Sequence, residues 1–112
     1  MEQLLDSKTI LIAGAGGLLG TQLVATVLAQ GANVIAADLH IESMRERLVQ
    51  QGVQIDNSAL MLTELDITSE SSVKALFTQF ENIDGAVNAT YPRNKTYGAH
   101  FYDVTLESFN DN

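Results

Sequence analysis

The chain has 112 residues, of which 46% are apolar, and a formal net charge of −8. This length is enough for one domain with one core, and the apolar content excludes a disordered tail. Only six Lys and Arg residues are present and they are scattered, which argues against nucleic acid or an anionic membrane as a partner.

Other features of the sequence exclude further classes of protein. Cysteine is absent, so disulfides and thiolate metal sites are excluded, and His40 and His100 lie too far apart to suggest a metal site. The N-terminus lacks the basic start and apolar run of a signal peptide. No apolar stretch approaches the roughly 20 residues that cross a bilayer. We therefore expect a cytoplasmic protein.

Short apolar runs alternate with longer amphipathic segments along the chain. Residues 9–13 form a continuous β-rich run, which is typical of a strand that is buried on both faces. After a glycine-rich turn, leucines and valines recur at helical spacing until Gly31, which predicts a helix. Residues 33–37 predict a second strand that is closed by Asp38.

Beyond Asp38 the same alternation continues. Each short apolar run is predicted to be a strand and each amphipathic run a helix. The predicted elements are a helix over 41–51, a strand over 59–65, a helix capped by Thr68 or Ser69, a strand over 83–89 interrupted by Gly85, a loop with Pro92 and Gly98, and a helix starting at Thr105.

This order of elements predicts an α/β fold of the Rossmann type. Strands that are separated by helices form a parallel sheet with right-handed crossovers, and the expected strand order is 3-2-1-4 with flanking helices. A complete doubly wound domain has more strands beyond strand four. We therefore expect residues 1–112 to be the N-terminal part of such a domain, and the exposed edge of strand four to favour self-association.

The glycine-rich turn is the first candidate site. Gly14, Gly17 and Gly20 follow the spacing G-x-x-G-x-x-G, with Leu18 and Leu19 between the last two. A helix N-terminus offers unpaired N–H groups and a positive dipole end, and glycine lets the backbone approach a phosphate. The turn therefore predicts a site for the pyrophosphate of a dinucleotide. The alternative is a tight turn without a ligand.

A second candidate site follows the second strand at Asp38 and Leu39. A carboxylate at this position can accept hydrogen bonds from both ribose hydroxyls of the adenosine half and repels a 2′-phosphate. No Arg or Lys lies near Asp38 before Arg45, and the glycine turn has none, so NAD is favoured over NADP. The alternative is an exposed turn acid or a cap of the next helix. His40 and Arg45 are expected to face solvent.

Asp66 and Ile67 follow the third predicted strand. The carboxyl ends of parallel strands face the ligand crevice, so the Asp66 carboxylate is placed to accept from the adenine amino group while the Ile67 N–H donates to the ring. The alternative is that Asp66 or Thr68 caps the following helix. The two interpretations are compatible.

The spacing of the glycine turn resembles that of the short-chain dehydrogenase/reductase family, and Leu18 resembles its larger, epimerase-like branch. The end of strand four, D-G-A-V-N-A-T, is similar to the family's D-x-x-V-N-N-A-G. Asn88 matches the first Asn, whereas Ala89 and Thr90 depart from the pattern. The resemblance implies that the chain at Asn88, Ala89 and Thr90 runs next to the cofactor ribose. It also implies that Asp66 corresponds to the Asp that the family has before Val or Ile.

Residues 91–95, Y-P-R-N-K, resemble members linked to flagellin glycosylation and nonulosonic acid sugar metabolism, which favours the single-domain branch. The family's catalytic set is a Ser, a Tyr-x-x-x-Lys pair on a long helix, and an Asn. Tyr91 and Lys95 have the spacing of that pair, but Pro92 cannot lie inside such a helix. We therefore assign no catalytic residue.

The resemblance implies the NAD(H)-binding half of a short-chain dehydrogenase/reductase oxidoreductase, truncated before its active site. The parent reaction is expected to be hydride transfer to or from a hydroxyl or carbonyl carbon, of a sugar in the most specific interpretation. This chain alone is expected not to catalyse it. The alternatives are a non-catalytic NAD-binding regulatory module, an epimerase-like extended member of the family, and a non-functional remnant.

Overall fold

The computed structural model describes residues 5–90. Four strands and three helices alternate along this part of the chain. In chain order they are β1 (Thr9–Ala13), α1 (Leu18–Ala29), β2 (Asn33–Asp38), α2 (Ile41–Gln50), β3 (Leu60–Glu64), α3 (Glu70–Gln79) and β4 (Gly85–Asn88).

The four strands form one parallel sheet in the order β3-β2-β1-β4, which confirms the predicted fold class and strand order. Register brings Ala13 at the end of β1 beside Ala37 of β2 and Asn88 of β4. Asp38, the next residue of β2, lies beside Glu64 at the end of β3. The carboxyl ends of all four strands therefore lie along one edge, where ligands of open α/β sheets bind.

The sheet is buried on both faces because successive side chains of a strand point to opposite sides. Ile12 contributes to one hydrophobic core with Val24 of α1 and Met44 of α2. Leu11 contributes to the other core with Val73 of α3. Leu11 and Ile12 are neighbours in β1 that face opposite sides of the sheet, and both are fully buried. This burial on both faces explains why β1 is a continuous apolar run.

The helices end and begin at residues whose chemistry suits those positions. Gly31 and Gly52 follow α1 and α2 with φ of 88° and 84°, a left-handed conformation that glycine adopts at little cost. The Ser69 side chain caps α3 by accepting a hydrogen bond from the Ser72 N–H. Of the two predicted caps, the structure therefore uses Ser69.

Strand four differs most from its predicted bounds. Gly85 begins β4 rather than interrupting it, and a Cβ at this position would lie 3.3 Å from Ile10 Cδ1. Ile83 precedes the strand and is buried in the core on the α3 side, and the Asp84 N–H donates to Thr9 O. The predicted loop and helix after residue 90 lie outside the described residues. Within residues 5–90, no helix is long and apolar enough to span a membrane.

Candidate functional site

The glycine turn between β1 and α1 lies at the carboxyl edge of the sheet and packs tightly against its surroundings. Gly14 has a φ of 75°, and a Cβ there would lie 2.7 Å from Thr90 Cγ2. A Cβ at Gly16 would lie 2.9 Å from Asp38 Oδ2, and one at Gly20 would lie 2.0 Å from Gly14 O. The packing of the chain itself therefore requires glycine at these three positions.

Gly17 is different. Its φ of −80° and ψ of 175° are open to any residue, and a Cβ there would meet only Gly14 O, at an ordinary 3.4 Å. Nothing in the described part of the chain requires glycine at this position. Glycine at this position would let a ligand approach the backbone closely, which is a reason for glycine that does not come from the fold.

The N-terminus of α1 has donors that the described part of the chain does not pair. Gly17 is the N-cap and has no side chain to accept a hydrogen bond, and the first turn contains no acidic residue. The first helical bond runs from the Thr21 N–H to Gly17 O. The N–H groups of residues 18–20 have no acceptor among residues 5–90. By contrast, α3 is capped by Ser69 and carries Glu70 in its first turn.

The side chains of Leu18 and Leu19 add to this feature. They are 75% and 41% exposed, although leucine is normally buried in a helix of this kind. Neither side chain can cap the helix or hold a counter-charge. The first turn of α1 therefore combines an open set of backbone donors with an exposed apolar surface.

Asp38 lies beside this turn and hydrogen-bonds to it. Its Oδ2 accepts from the Gly16 N–H at 2.9 Å, and its Oδ1 accepts from the Leu39 N–H at 2.7 Å. Asp38 does not cap α2, whose N-cap is His40 without a side-chain bond. A carboxylate has about four acceptor positions, so each oxygen keeps capacity for a ligand hydroxyl. Leu39 is 48% exposed next to it.

One residue that contacts the glycine turn was missed by sequence reasoning. Arg47 Nη1 donates to Gly16 O at 3.0 Å, so the turn has a basic neighbour that its own sequence lacks. The turn itself contains no Arg or Lys, as its sequence shows, but a base from α2 lies beside it. The sequence pattern places Arg47 beside the face of α2 that buries Met44 and Leu48, but it does not indicate which element Arg47 contacts.

The other polar residues of this region behave as the sequence predicted. Arg45 forms a short ion pair with Glu42 on the outside of α2, with 43% of the Arg45 side chain exposed. His40 is exposed as well. Neither residue hydrogen-bonds to the glycine turn or to Asp38 among the bonds of the described residues.

Asp66 follows β3 at the same edge of the sheet. Its Oδ1 accepts from the Thr68 N–H at 2.9 Å and from the Thr68 hydroxyl at 2.6 Å. These bonds, the hydroxyl's first, hold the pKa of the Asp66 carboxyl below its ordinary value. The Asp66 N–H donates to Ser72 Oγ at 3.1 Å. Ile67 packs partly against the core on the α3 side.

The end of β4 closes the site from the other side. Asn88 Oδ1 accepts hydrogen bonds from the N–H and the hydroxyl of Thr90. Ala89 donates its N–H to Ala13 O at 2.8 Å and is buried, 5% exposed, in the core on the α1 side. This position therefore packs in a core where the family pattern has a second Asn. Thr90 lies against Gly14.

Together the β-strand ends and the turn define a class of protein, a Rossmann-type domain with the architecture of a dinucleotide site. The NAD dependent epimerase/dehydratase family model matches residues 10–110. The chain therefore belongs to this family of short-chain dehydrogenase/reductase proteins, which confirms the resemblance seen in its sequence.

Individual relatives agree with this assignment. The chain is 30% identical over 112 residues to the post-translational flagellin modification protein A of Campylobacter coli, covering 93% of this chain and 42% of that protein. It is 34% identical over 110 residues to a 2,5-dichloro-2,5-cyclohexadiene-1,4-diol dehydrogenase of Sphingobium indicum, covering 94% of this chain and 41% of that protein. The chain thus spans about two fifths of the length of these relatives.

Solved structures share the fold. A short chain dehydrogenase from Mycobacterium smegmatis superimposes with a TM-score of 0.73 at 22% identity, over 96% of this chain and 55% of that one. The family model bears the epimerase name that Leu18 favours, whereas the relative from Sphingobium indicum is named a dehydrogenase. The choice between the two branches stays a prediction.

The Thr68 hydroxyl offers a test of the geometry around Asp66. Thr68→Val keeps the backbone donor and the side-chain shape but removes the hydroxyl that stabilises the ionised carboxylate. We expect the pKa of Asp66 to rise towards its ordinary value, as followed by NMR titration of the side-chain carboxyl carbon. Ser72→Ala is the control, because Ser72 Oγ contacts the Asp66 N–H and not the carboxylate. Equal shifts in both variants would contradict the arrangement.

Proposed function

We propose that this chain binds NAD at the carboxyl edge of its sheet. The single observation that carries the proposal is Gly17 at the open N-terminus of α1, where the fold does not require glycine and three N–H groups lack a described acceptor. The proposed cofactor-binding residues are Gly14, Gly17, Leu18, Leu19, Gly20, Asp38, Leu39, Asp66, Ile67, Asn88, Ala89 and Thr90.

The pyrophosphate fits the first turn of α1. Backbone donors and the positive end of the helix dipole favour an anion there, and no acidic residue of the turn opposes it. Gly17 leaves space for the phosphate oxygens to approach the backbone. The exposed side chains of Leu18 and Leu19 supply apolar contacts to the ligand as it leaves the turn.

The adenosine half fits between the ends of β2 and β3. The acceptor capacity that Asp38 retains is directed to the ribose hydroxyls, and the exposed Leu39 offers an apolar surface to the base. One oxygen of Asp66 is held by Thr68, which leaves the other to accept from the adenine amino group. The pKa of this carboxyl is lowered, so it stays an ionised acceptor at neutral pH and into more acidic conditions than an ordinary Asp. Ile67 N–H donates to the ring.

NAD is favoured over NADP because a 2′-phosphate would lie against the Asp38 carboxylate. The neighbouring base, Arg47, does not remove this repulsion, since it forms no ion pair with Asp38 among the described residues.

The nicotinamide ribose would lie on the β4 side of the site, next to the hydrogen-bonded pair Asn88 and Thr90. When bound, the cofactor supplies hydride transfer.

For the whole protein we propose an NAD-dependent oxidoreductase in which residues 1–112 are the N-terminal part of the Rossmann domain. Its reaction is hydride transfer to or from a hydroxyl or carbonyl carbon, with a sugar as the substrate class. The named dehydrogenase supports the reaction type. The sugar rests on the resemblance of residues 91–95 to members linked to flagellin glycosylation, with which the flagellin modification relative agrees. No catalytic residue is proposed in this chain.

We further propose a cytoplasmic protein that binds neither nucleic acid nor membrane, since its net charge of −8 opposes both. Self-association is also proposed, either through the outer edge of β4 in this chain alone or as a homo-oligomer of the kind that the resemblance to the family implies for the whole protein. Within residues 5–90 this strand pairs only with β1, and Val87 is 37% exposed. An apolar, unpaired strand edge is a template for another chain.

A pair of alanine variants separates binding from folding. Gly17→Ala adds a methyl group that a bound ligand would meet, so we expect NAD affinity to fall by about 1–3 kcal/mol, the usual cost of overpacking. The free energy of unfolding should fall by no more than about 1 kcal/mol, because alanine is a poorer N-cap than glycine. Gly20→Ala puts a Cβ 2.0 Å from Gly14 O and should lower the free energy of unfolding instead. Calorimetry and denaturant unfolding measure the two effects. Unchanged affinity in Gly17→Ala would refute the proposed pyrophosphate site.

The choice of cofactor depends on the charge of Asp38. Asp38→Asn keeps an acceptor for one of the two N–H groups of Gly16 and Leu39 and removes the negative charge. The preference for NAD over NADP should then narrow by about 1–4 kcal/mol, the interaction of two unit charges about 4 Å apart at intermediate to high dielectric. Titration of both dinucleotides by calorimetry measures it. The control is Asp84→Asn, at the opposite sheet edge, where Asp84 Oδ2 accepts from the Thr9 N–H. Tighter binding of NADP by the unmodified chain would contradict the preference.

A further inference from the structure

We propose that Arg47 is a positioning residue that holds the glycine turn in its ligand-binding conformation. The inference rests on the proposed function, because it names what prepares the pyrophosphate site. The proposal is based on the hydrogen bond of 3.0 Å from Arg47 Nη1 to Gly16 O, two residues that are 31 positions apart in the chain.

The turn needs such a restraint from outside. Its residues 14–17 comprise three glycines and Ala15, so no side chain of the turn can hydrogen-bond to its own backbone. Glycine also loses more conformational freedom on ordering than any other residue. A turn of this composition would therefore sample other conformations unless neighbouring elements held its peptide groups.

Gly16 is held from both sides. The anionic Asp38 accepts from its N–H at 2.9 Å, and the cationic Arg47 donates to its carbonyl oxygen. The Gly17 N–H, in the same peptide unit as that carbonyl, donates to Gly14 O at 3.1 Å. Both peptide planes that flank Gly16 are thereby fixed, and each hydrogen bond to a charged partner is stronger than a neutral one.

This peptide leads directly into the proposed phosphate site. Gly17 is the N-cap of α1, so a rotation of the Gly16–Gly17 peptide would turn the donors of residues 18–20 away from their common direction. The backbone at Arg47 is held in place, because Met44 and Leu48 on either side of it in α2 are buried in the core. The restraint therefore links the rigid packing of α2 to a turn whose only side chain is the buried methyl group of Ala15.

A direct contact between Arg47 and a phosphate is the competing explanation. The Arg47 side chain also lines a cavity of about 250 Å³ between the turn and α2, together with Gly17 and Gln50. In that case Arg47 would act only when a ligand is present. Positioning acts in the ligand-free chain as well, and this difference is measurable.

The test compares Arg47→Gln with Arg45→Gln in the full chain. Both variants remove one positive charge from α2, but Arg45 is paired with Glu42 and does not contact the turn. We expect Arg47→Gln to weaken NAD binding roughly three- to tenfold, the range of one net hydrogen bond, and to leave adenosine binding within about twofold. Arg45→Gln should leave both affinities unchanged.

Hydrogen exchange of the ligand-free variants supplies the second readout. The Gly17 and Thr21 amides donate to the carbonyl oxygens of Gly14 and Gly17, which belong to the turn. Both amides should exchange faster in Arg47→Gln than in the parent or in Arg45→Gln. Weaker NAD binding without faster exchange would show direct phosphate contact and overturn the positioning role, as would two variants that behave alike. If the parent chain fails to bind NAD, the proposed function fails, and exchange alone still decides whether Arg47 restrains the turn.

Discussion

The close packing of α1 against the end of β1 is the constraint on which the rest of the site depends. Gly20 lies so near Gly14 that no side chain fits between them, and Gly14 in turn lies against Thr90 at the end of β4. This contact brings the N-terminus of α1 to the carboxyl edge of the sheet. The same edge carries Asp38 and Asp66, because parallel strands in register end together. One steric requirement thus places the N-terminus of α1 at the sheet edge that carries these two carboxylates.

Charge at this edge is divided between the two halves of the proposed ligand. The carboxylates lie at the ends of β2 and β3, where a sugar and a base offer donors, whereas the first turn of α1 carries no acidic residue. Asp38 links the two regions, since it hydrogen-bonds to Gly16 while it keeps acceptor capacity for a hydroxyl. One hydrogen bond, from the Gly16 N–H to Asp38, therefore connects the proposed ribose site to the proposed phosphate site.

Most of the fold was predictable from the sequence, because buried parallel strands are continuous apolar runs and glycines mark the helix ends. The strand order and the positions of Asp38, Asp66 and Asn88 at one edge followed from that pattern. The contact of Arg47 with Gly16 did not follow from the pattern, because it joins α2 to the glycine turn and depends on how that helix packs. Nor could the sequence tell which glycines serve the fold, because only the neighbouring atoms distinguish Gly17 from Gly16.

The most direct test of the dinucleotide site is an NMR titration of the isotopically labelled chain with NAD. The account predicts saturable shifts of the amide signals of residues 17–20, Leu39 and Ile67. The signals around the cavity of about 470 Å³ at the opposite sheet edge, which Asn33, Ala59 and Asn82 help to line, should remain unchanged. Shifts confined to that opposite edge, or no saturable shift in the first turn of α1, would contradict the account.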